Sequence, residues 1–458
     1  MPKISVASRA IQHFKIENAI YRELADDEVD ILPLLLKAGE LIEKIYLVQE
    51  KGHEENFGST FYPKDASDDE LRKAESENSQ IFSPYTVVTR QNGKLEVIPY
   101  HVKYRPILNK VSALLKKASK ASKNTSFSNY LRVASQSLLS GDYKKMDLAW
   151  LNTQDSTLQF LIGPYERYLD KRFFKKMAYL SYVGIKDPVY TRKIKEISEV
   201  LATSLSDKPH RYTMLSKVQV CSVRNILFSG YVARALLSTE HFPSDDETIR
   251  EAGSRLICYL STMDYKFNTY LYPIFLKIFE TSFRASYSED LLKHANYYLM
   301  FVYGLARQLH RYEGARNRLG ALYPVFDEAN SIVSGIQHCK HLIMKGVIDQ
   351  KELEAMIIMH ICWGFSEWIF AKVSKIRSDY LRGDALTLNF YLQHGALREI
   401  DGISWPNFSK IFFAIENLST ILVRLLAEGS FDDAQDFLKG NLSYEVFRTF
   451  DSKLTKIV

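Results

Sequence analysis

The chain has 458 residues, 46% hydrophobic and 25% charged, with a formal net charge of +6. This composition is that of a globular protein and excludes disordered and collagen-like chains. The net charge is small and no known nucleic-acid-binding motif is present, so no nucleic-acid partner is predicted. Basic runs such as KKASKASK (116–123) are typical of solvated helix faces. The chain has four cysteines without a CxxC pair, no apolar leader and no 18-residue apolar span. These features predict a cytoplasmic protein that does not cross a membrane.

The first half of the chain mixes helices and strands. Residues 1–50 carry helical periodicity, and the acidic stretch 64–80 predicts a loop followed by a short helix. The segment 83–100 predicts a β-hairpin, because two β-rich runs flank Asn92-Gly93, a strong turn signal. Helical periodicity returns over 101–150.

The middle of the chain predicts further strands. Residues 158–170 favour a strand that leads into a helix over KRFFKKMAYLSYV (171–183), and 216–230 alternates as one or two strands do. Nearly all of the chain after the segment 241–255 favours helix. We therefore expect a predominantly helical α+β fold, with a mixed domain over 1–240 that carries a small sheet or barrel and a helical domain over 241–458.

Six segments in consistent order carry a resemblance that covers almost the whole chain. They are TFYPKDASDDEL (60–71), VIPYHVKY (97–104), MDLAWLNTQDSTLQFLIGPYERYLD (146–170), FPSDDETIREAGSRL (242–256), HLIMKGVI (341–348) and LNFYLQHGAL (388–397). Together they resemble the dipeptidyl peptidase III family of zinc metallopeptidases in its shorter bacterial and plant-like form. The resemblance implies two lobes, one with a small β-barrel and one mostly helical, around a wide peptide-binding cleft.

The family's zinc chemistry rests on two helical motifs, and the first is missing here. His-Glu-x-x-Gly-His supplies two zinc ligands and a general-base Glu, because residues about one turn apart point to one side of a helix. The segment 291–309 stands at the corresponding place, but residues 300–306 contain neither His nor Glu, and no HExxH occurs in the chain. The second motif persists in part as Asp327-Glu328, with Glu328 at the ligand position.

A third family motif is better kept. The segment Gly163-Pro164-Tyr165-Glu166-Arg167-Tyr168 resembles Gly-x-Ile-Glu-Thr-Tyr. In the family this Glu grips the substrate's N-terminal amine and this Tyr lies near the scissile carbonyl, which implies the same roles for Glu166 and Tyr168. The alternative is that Glu166 caps a helix or pairs with a neighbouring cation.

A zinc ion needs ligands that this pattern does not supply. Zinc takes three or four protein ligands at about 2 Å, and Glu328 provides one. Substitutes would come from His310 and Glu313, or from His338 and His341, although isolated pairs of this kind are usually surface or core residues. Because the hydrolytic water of such enzymes is activated by the metal, we expect neither bound metal nor peptidase activity.

Two functions follow from these motifs. The first is a dipeptidyl peptidase III-like protein that has lost its zinc and binds a peptide-like or small carboxylate ligand in the cleft. The second is a metal-independent enzyme that uses the same groups for acid/base chemistry, in an isomerisation, cyclisation, elimination or acyl transfer. No GxSxG, P-loop or GxGxxG is present, so no nucleotide or other cofactor is expected.

The candidate residues are drawn from both halves of the chain. The candidate catalytic residues are Glu166, Tyr168, Asp327 and Glu328, and the candidate ligand-binding residues are Glu166, Tyr168, Tyr303, Arg307, His310 and Asn389. Consecutive helical residues diverge by about 100°, so Asp327 and Glu328 are not expected to act as a facing pair. Four arginines (Arg307, Arg311, Arg316 and Arg318) either form a solvated face or include one or two that bind a carboxylate or phosphate.

Overall fold

The computed structural model describes residues 11–15, 17–51, 60–167, 169–170, 172–206, 218–309, 312–374, 378–400 and 403–454. These residues form two compact units. The sheet unit holds the described residues within 1–188, 221–237 and 241–261, and the helical unit holds those within 189–220, 238–240 and 262–458. The chain therefore crosses between the units several times, whereas the sequence-based division at residue 240 assumes a single crossing.

Strands and helices follow one another along the described residues. The strands are β1 Ile11–His13, β2 Thr86–Gln91, β3 Lys94–Pro99, β4 Leu158–Glu166, β5 Ala178–Lys186, β6 Val218–Gly230, β7 Thr239–Phe242, β8 Ser254–Tyr259, β9 Leu397–Ile400 and β10 Ile403–Pro406. The helices up to residue 278 are α1 Asn18–Tyr21, α2 Asp26–Glu50, α3 Asp68–Glu77, α4 Tyr100–Lys103, α5 Arg105–Ala121, α6 Thr125–Ser140, α7 Tyr143–Leu151, α8 Pro188–Ser206, α9 Tyr231–Ala235, α10 Asp246–Ala252, α11 Leu260–Lys266 and α12 Tyr272–Ile278. The later helices are α13 Thr281–Arg284, α14 Glu289–Leu309, α15 Ala315–Leu319, α16 Tyr323–Met344, α17 Gln350–Ser374, α18 Asp379–Gln393, α19 Phe408–Glu428, α20 Phe431–Asn441, α21 Glu445–Thr449 and α22 Asp451–Leu454.

The central sheet has the strand order β4-β5-β6-β8-β7, and β1 also pairs with β6. The predicted helix over 171–183 is wrong, because residues 178–186 form β5, which pairs antiparallel with β4. Its residues AYLSYVGIK are almost all buried, so no alternation distinguishes the strand from a buried helix, and pairing with β4 decides the structure.

The hairpin predicted over 83–100 is confirmed. Strands β2 and β3 pair antiparallel from Thr86–Pro99 to Gln91–Lys94. The two turn residues, Asn92 and Gly93, have φ of 49° and 79°. Positive φ at both central positions matches the twist of the flanking strands, which explains why the Asn-Gly signal predicts this turn correctly.

Helices α14, α16, α17, α18 and α19 pack together in the helical unit. Two glycines allow α16 to approach both of its neighbours closely. A Cβ atom on Gly335 of α16 would lie 3.0 Å from the carbonyl oxygen of Val302 in α14. A Cβ atom on Gly383 of α18 would lie 3.2 Å from Cβ of Glu328 in α16. These contacts place Glu328 in a tightly packed layer between α14 and α18.

One helix resembles a membrane span in composition. The stretch Gln350–Lys372 of α17 is long and apolar enough to cross a membrane, although the sequence reasoning expected no such stretch. Within the structure 83% of its apolar window is buried. A buried apolar helix is what the core of a soluble protein requires, so this stretch is weak evidence for a membrane span.

Candidate functional site

Helices α14 and α16 bring four of the predicted residues into one cluster. Tyr303 and Arg307 lie one turn apart on α14 and therefore share a face. The Arg307 guanidinium lies 3.1 Å from the Asp327 carboxylate and 3.0 Å from that of Glu328. The Tyr303 hydroxyl donates a hydrogen bond to Glu328, and Arg307 Nη1 donates to the Tyr303 oxygen at 3.3 Å. We call these four residues the Arg307 cluster.

The two carboxylates of the Arg307 cluster are more deeply buried than its cation. The side chains of Asp327 and Glu328 are 10% and 6% exposed, against 23% for Arg307. The Tyr323 hydroxyl donates a further hydrogen bond to Asp327 at 3.1 Å. Arg307 is therefore the most solvent-accessible of the three charged side chains in the cluster.

The pKa of the Glu328 carboxyl lies close to neutral pH. Burial raises the pKa of its carboxyl to about 7, Arg307 opposes that rise, and the negative charge of Asp327 adds to it. The hydrogen bond from Tyr303 lowers the pKa, because it favours the charged form. A carboxyl with this pKa is able to give and take a proton near neutral pH.

Further charged groups in the helical unit interact with this site. Burial raises the pKa of Asp384, and His360 opposes the rise from 3.6 Å, an ion-pair distance longer than a hydrogen bond. The charge of Asp384 raises the pKa of both Glu328 and Glu367. Lys266 acts in the opposite direction on Glu367, and burial lowers the pKa of Lys266 itself to about 8. The pKa of Glu328 therefore depends on Asp384 as well as on the other residues of the Arg307 cluster.

The sheet unit holds a second buried carboxyl. The Tyr165 hydroxyl donates to Asp147 at 2.8 Å, and Asp147 is 3% exposed. Burial raises the pKa of Asp147 to about 8, the Tyr165 hydrogen bond lowers it, and the charge of Asp245 adds to the rise. Burial therefore favours the protonated form of Asp147 in the folded protein.

The other predicted site residues have separate locations. Glu166 ends β4 in the sheet unit, next to an irregularity in the β4–β5 register, and is 6% exposed. Asn389, on α18, donates to the carbonyl of Asn441 at 2.7 Å, so its amide takes part in packing helices together. Tyr168 and His310 lie outside the described residues.

The predicted arginines have different local roles. Arg318 donates to the carbonyls of Leu426, Ala427 and Gly429, and so caps the C-terminal end of α19. Arg316 lies over the Tyr323 ring at 5.4 Å. Arg311 lies outside the described residues. Arg307 pairs with two carboxylates of the chain itself, those of Asp327 and Glu328.

Comparison with known proteins supports the fold. No family model matches the chain. Dipeptidyl peptidase III from Caldithrix abyssi superimposes with a TM-score of 0.84 at 21% identity, covering 97% of this chain and 95% of that one. The enzyme from Corallococcus sp. strain EGB gives a TM-score of 0.83 at 21% identity, covering 97% and 93%. The chain has the dipeptidyl peptidase III fold. The predicted α+β class, with a sheet-bearing part and a helical part, is confirmed.

A curated relative is similar over part of its length. Nudix hydrolase 3 of Arabidopsis thaliana is 25% identical over 348 residues, which are 74% of this chain and 44% of that protein. The chain thus spans less than half the length of this relative. Identity at this level, over less than half of that protein, does not transfer its activity.

The residues described do not fit the zinc ion that the dipeptidyl peptidase III resemblance implies. No group of three or more His, Cys, Asp or Glu side chains in the described part of the chain is arranged to hold a metal. The helix segment 300–306 places apolar residues and Tyr303 beside α16, and Arg307 already pairs with both acids. His338 and His341 have ring centroids 6.1 Å apart without a third ligand in a metal-binding group.

Several residues of interest were not identified from the sequence. Tyr323, His360 and Asp384 contribute to the electrostatics of the helical unit, and Asp147 with Tyr165 forms the buried pair of the sheet unit. Asp147 and Tyr165 fall in the long matched segment 146–170, which was a signal that could have drawn attention to them. The others are isolated polar residues in helical patterns.

Proposed function

We propose that this dipeptidyl peptidase III-like protein binds a peptide-like or small carboxylate ligand at the Arg307 cluster, without zinc and without zinc-dependent peptidase activity. The observation that carries the proposal is the Arg307 guanidinium, which pairs with Asp327 and with Glu328, the family's ligand position. A dication placed there would face a fixed cation and would compete with it for both acids. Zinc also lacks the further ligands that it requires among the residues that the structure describes.

A carboxylate ligand fits the accessible part of the cluster. Arginine offers five N–H donors in a planar fork that matches a carboxylate, and the Arg307 side chain is the more exposed partner of its ion pairs. The Tyr303 hydroxyl lies beside it as a further polar group. An entering carboxylate would share the guanidinium with Asp327 and Glu328.

Metal analysis of protein purified without chelators, with a zinc thermal-shift titration, tests the metal-free part. We expect less than stoichiometric metal and no shift in melting temperature. One tightly held zinc per chain would overturn it.

Calorimetry with a free tripeptide tests the binding part, with the same peptide carrying a C-terminal amide as control. We expect Arg307→Lys to weaken binding of the free acid about tenfold or more, because a lysine loses the forked hydrogen bonds, while Arg316→Lys leaves binding unchanged. Equal binding of the acid and the amide would remove the carboxylate from the proposal.

A second function is favoured by one arrangement, the Glu328 carboxyl buried against the Tyr303 hydroxyl, with its pKa raised by burial to about 7. In a metal-independent enzyme, Glu328 would exchange a proton with the substrate. The Tyr303 hydroxyl would stabilise the charged form of Glu328 or relay the proton. The reaction classes remain isomerisation, cyclisation, elimination and acyl transfer. If a bound small molecule is turned over, Glu328→Gln should abolish turnover while binding persists; turnover that survives this substitution would exclude Glu328 as the acid/base group.

A further inference from the structure

One segment of the sheet unit carries the entire net positive charge of the chain. Residues 97–141 contain eight Lys and Arg and no Asp or Glu, so the remaining residues hold 52 basic and 54 acidic side chains. This acid-free segment includes α5 and α6, which pack against one another. The absence of acids over these 45 residues creates a local field of one sign.

The lysines of this segment are solvent-exposed and lack ion-pair partners among the described residues. Lys103, Lys110, Lys116 and Lys117 are exposed, and no carboxylate of the described chain lies within 4.0 Å of their ammonium groups. Elsewhere in the same unit, some exposed lysines are paired with acids. Lys144, for example, lies 2.9 Å from Glu247 and 2.8 Å from Glu251.

Two of these lysines border an open groove of about 800 Å³ between α2 and α5. Lys110 and Lys117 line it from α5, and Lys37 and Lys44 line it from α2. Its floor includes the apolar side chains of Leu41 and Leu114 together with Ile11 and Ala113. The groove therefore combines an apolar floor with a cationic edge on α5. On the α2 edge the Lys37 ammonium pairs with Glu40 at 3.1 Å.

The spacing of the lysines gives the groove a length. Both pairs are seven residues apart along their helices, which corresponds to about 10 Å at 1.5 Å per residue. A single compact anion does not span charges at that separation on both sides. A helix with an apolar stripe, and with acidic residues repeated at similar intervals along one side of it, matches the floor and the α5 edge.

We propose that the α2–α5 groove is a docking site for an acidic amphipathic helix of a partner protein. Glu40 and Glu43 also line the groove, on the α2 side. Phosphates of a nucleic acid or of a lipid surface would be repelled by these two carboxylates, whereas a protein helix is able to place a basic or neutral residue opposite them. The α5 side carries only positive charge and takes the acidic flank of the partner.

Fluorescence anisotropy with the full chain in 150 mM NaCl tests the proposal. The probe is a labelled, end-capped 21-residue helix-forming peptide with Leu at heptad positions a and d, Glu at g to face α5, and Gln at e to face Glu40 and Glu43 of α2. We expect saturable binding to the wild type and none of the same peptide with Lys at g. The paired substitution Lys110→Glu with Lys117→Glu should weaken binding at least tenfold, because it reverses the charge of one edge.

The matched control is Lys103→Glu with Lys123→Glu, which makes the same charge change in the same acid-free segment outside the groove. It should change the affinity less than twofold, and circular dichroism should show that both variants are folded. Equal weakening by the two pairs, or tighter binding of a 20-nucleotide single strand or of phosphatidylserine vesicles than of the peptide, would replace the groove with a general polyanion surface. Absence of peptide binding to the wild type would also overturn the proposal.

Discussion

The two units each bury a carboxyl against a tyrosine hydroxyl, and they differ in the cation. Glu328 accepts from Tyr303 and lies 3.0 Å from Arg307, whereas Asp147 accepts from Tyr165 and has no ion-pair partner among the described residues. Burial raises the pKa of Glu328 to about 7 and that of Asp147, the stronger acid in water, to about 8. In both pairs burial favours the protonated acid and the tyrosine hydrogen bond opposes it, and at Glu328 the Arg307 guanidinium opposes it as well.

The largest expected effect comes from removing the cation. Arg307→Met should lower the free energy of unfolding at pH 8 by about 3–5 kcal/mol, because Asp327 and Glu328 are then buried without a partner. Urea unfolding would measure the change. Arg307→Lys, which keeps the charge, should cost less, and adding Glu328→Gln to Arg307→Met should recover part of the loss. A loss below about 1 kcal/mol would show that the acids are not held by Arg307.

The next largest effect is the pH dependence of stability, which should differ between Asp147 and Glu328. The folded-state pKa of Asp147 is raised to about 8, so the folded protein binds one more proton than the unfolded chain from about pH 4 to pH 8, and stability falls as pH rises through that window. Asp147→Asn removes this dependence. The variant should gain stability relative to the wild type with rising pH, by at most about 1.4 kcal/mol per pH unit, and level off above pH 8.

Urea unfolding between pH 4.5 and 9 would measure that gain. Glu328→Gln serves as the comparison, since the raised pKa of Glu328 confines its gain to the window that ends near pH 7. A constant difference between Asp147→Asn and the wild type across the range would contradict the raised pKa of Asp147.

The smallest effect concerns the tyrosines. Tyr303→Phe removes a hydrogen bond that favours the charged form of Glu328, so the pKa of Glu328 should rise above 7 and stability should fall by about 1–2 kcal/mol. Tyr165→Phe should likewise raise the pKa of Asp147 above 8. Carboxyl carbon NMR of each variant gives the titration midpoint, and an unchanged midpoint would exclude the hydroxyl as a determinant.

The sequence predicts the local and repeated features of this fold. The Asn92-Gly93 turn depends on two backbone angles, and the helical segment 291–309 carries its periodicity within itself, so both were predicted from nearby residues. Strand β5 was predicted as a helix, because a short apolar run fits either structure until β4 pairs with it.

The candidate site was predicted only in part, for a similar reason. Arg307 and Glu328 were selected as site residues, but their ion pair depends on how α14 and α16 pack, which no local pattern shows. Asp327 and Glu328 do diverge as consecutive helical residues, and the long Arg307 side chain reaches both. Asp147 looks like any polar residue of an amphipathic helix, and only its burial beside Tyr165 distinguishes it.

The Arg307 ion pairs also bear on how this helix pair is able to evolve. A route from the present cluster to a metal centre requires loss of Arg307 and the gain of at least two new ligands on α14. If Arg307 is lost first, two buried acids remain without a counter-charge, and if the ligands come first, the guanidinium still occupies the acids. Either order of substitutions therefore passes through an intermediate that is less stable or does not bind metal. Arg307 thus makes the return to a metal site unfavourable one substitution at a time.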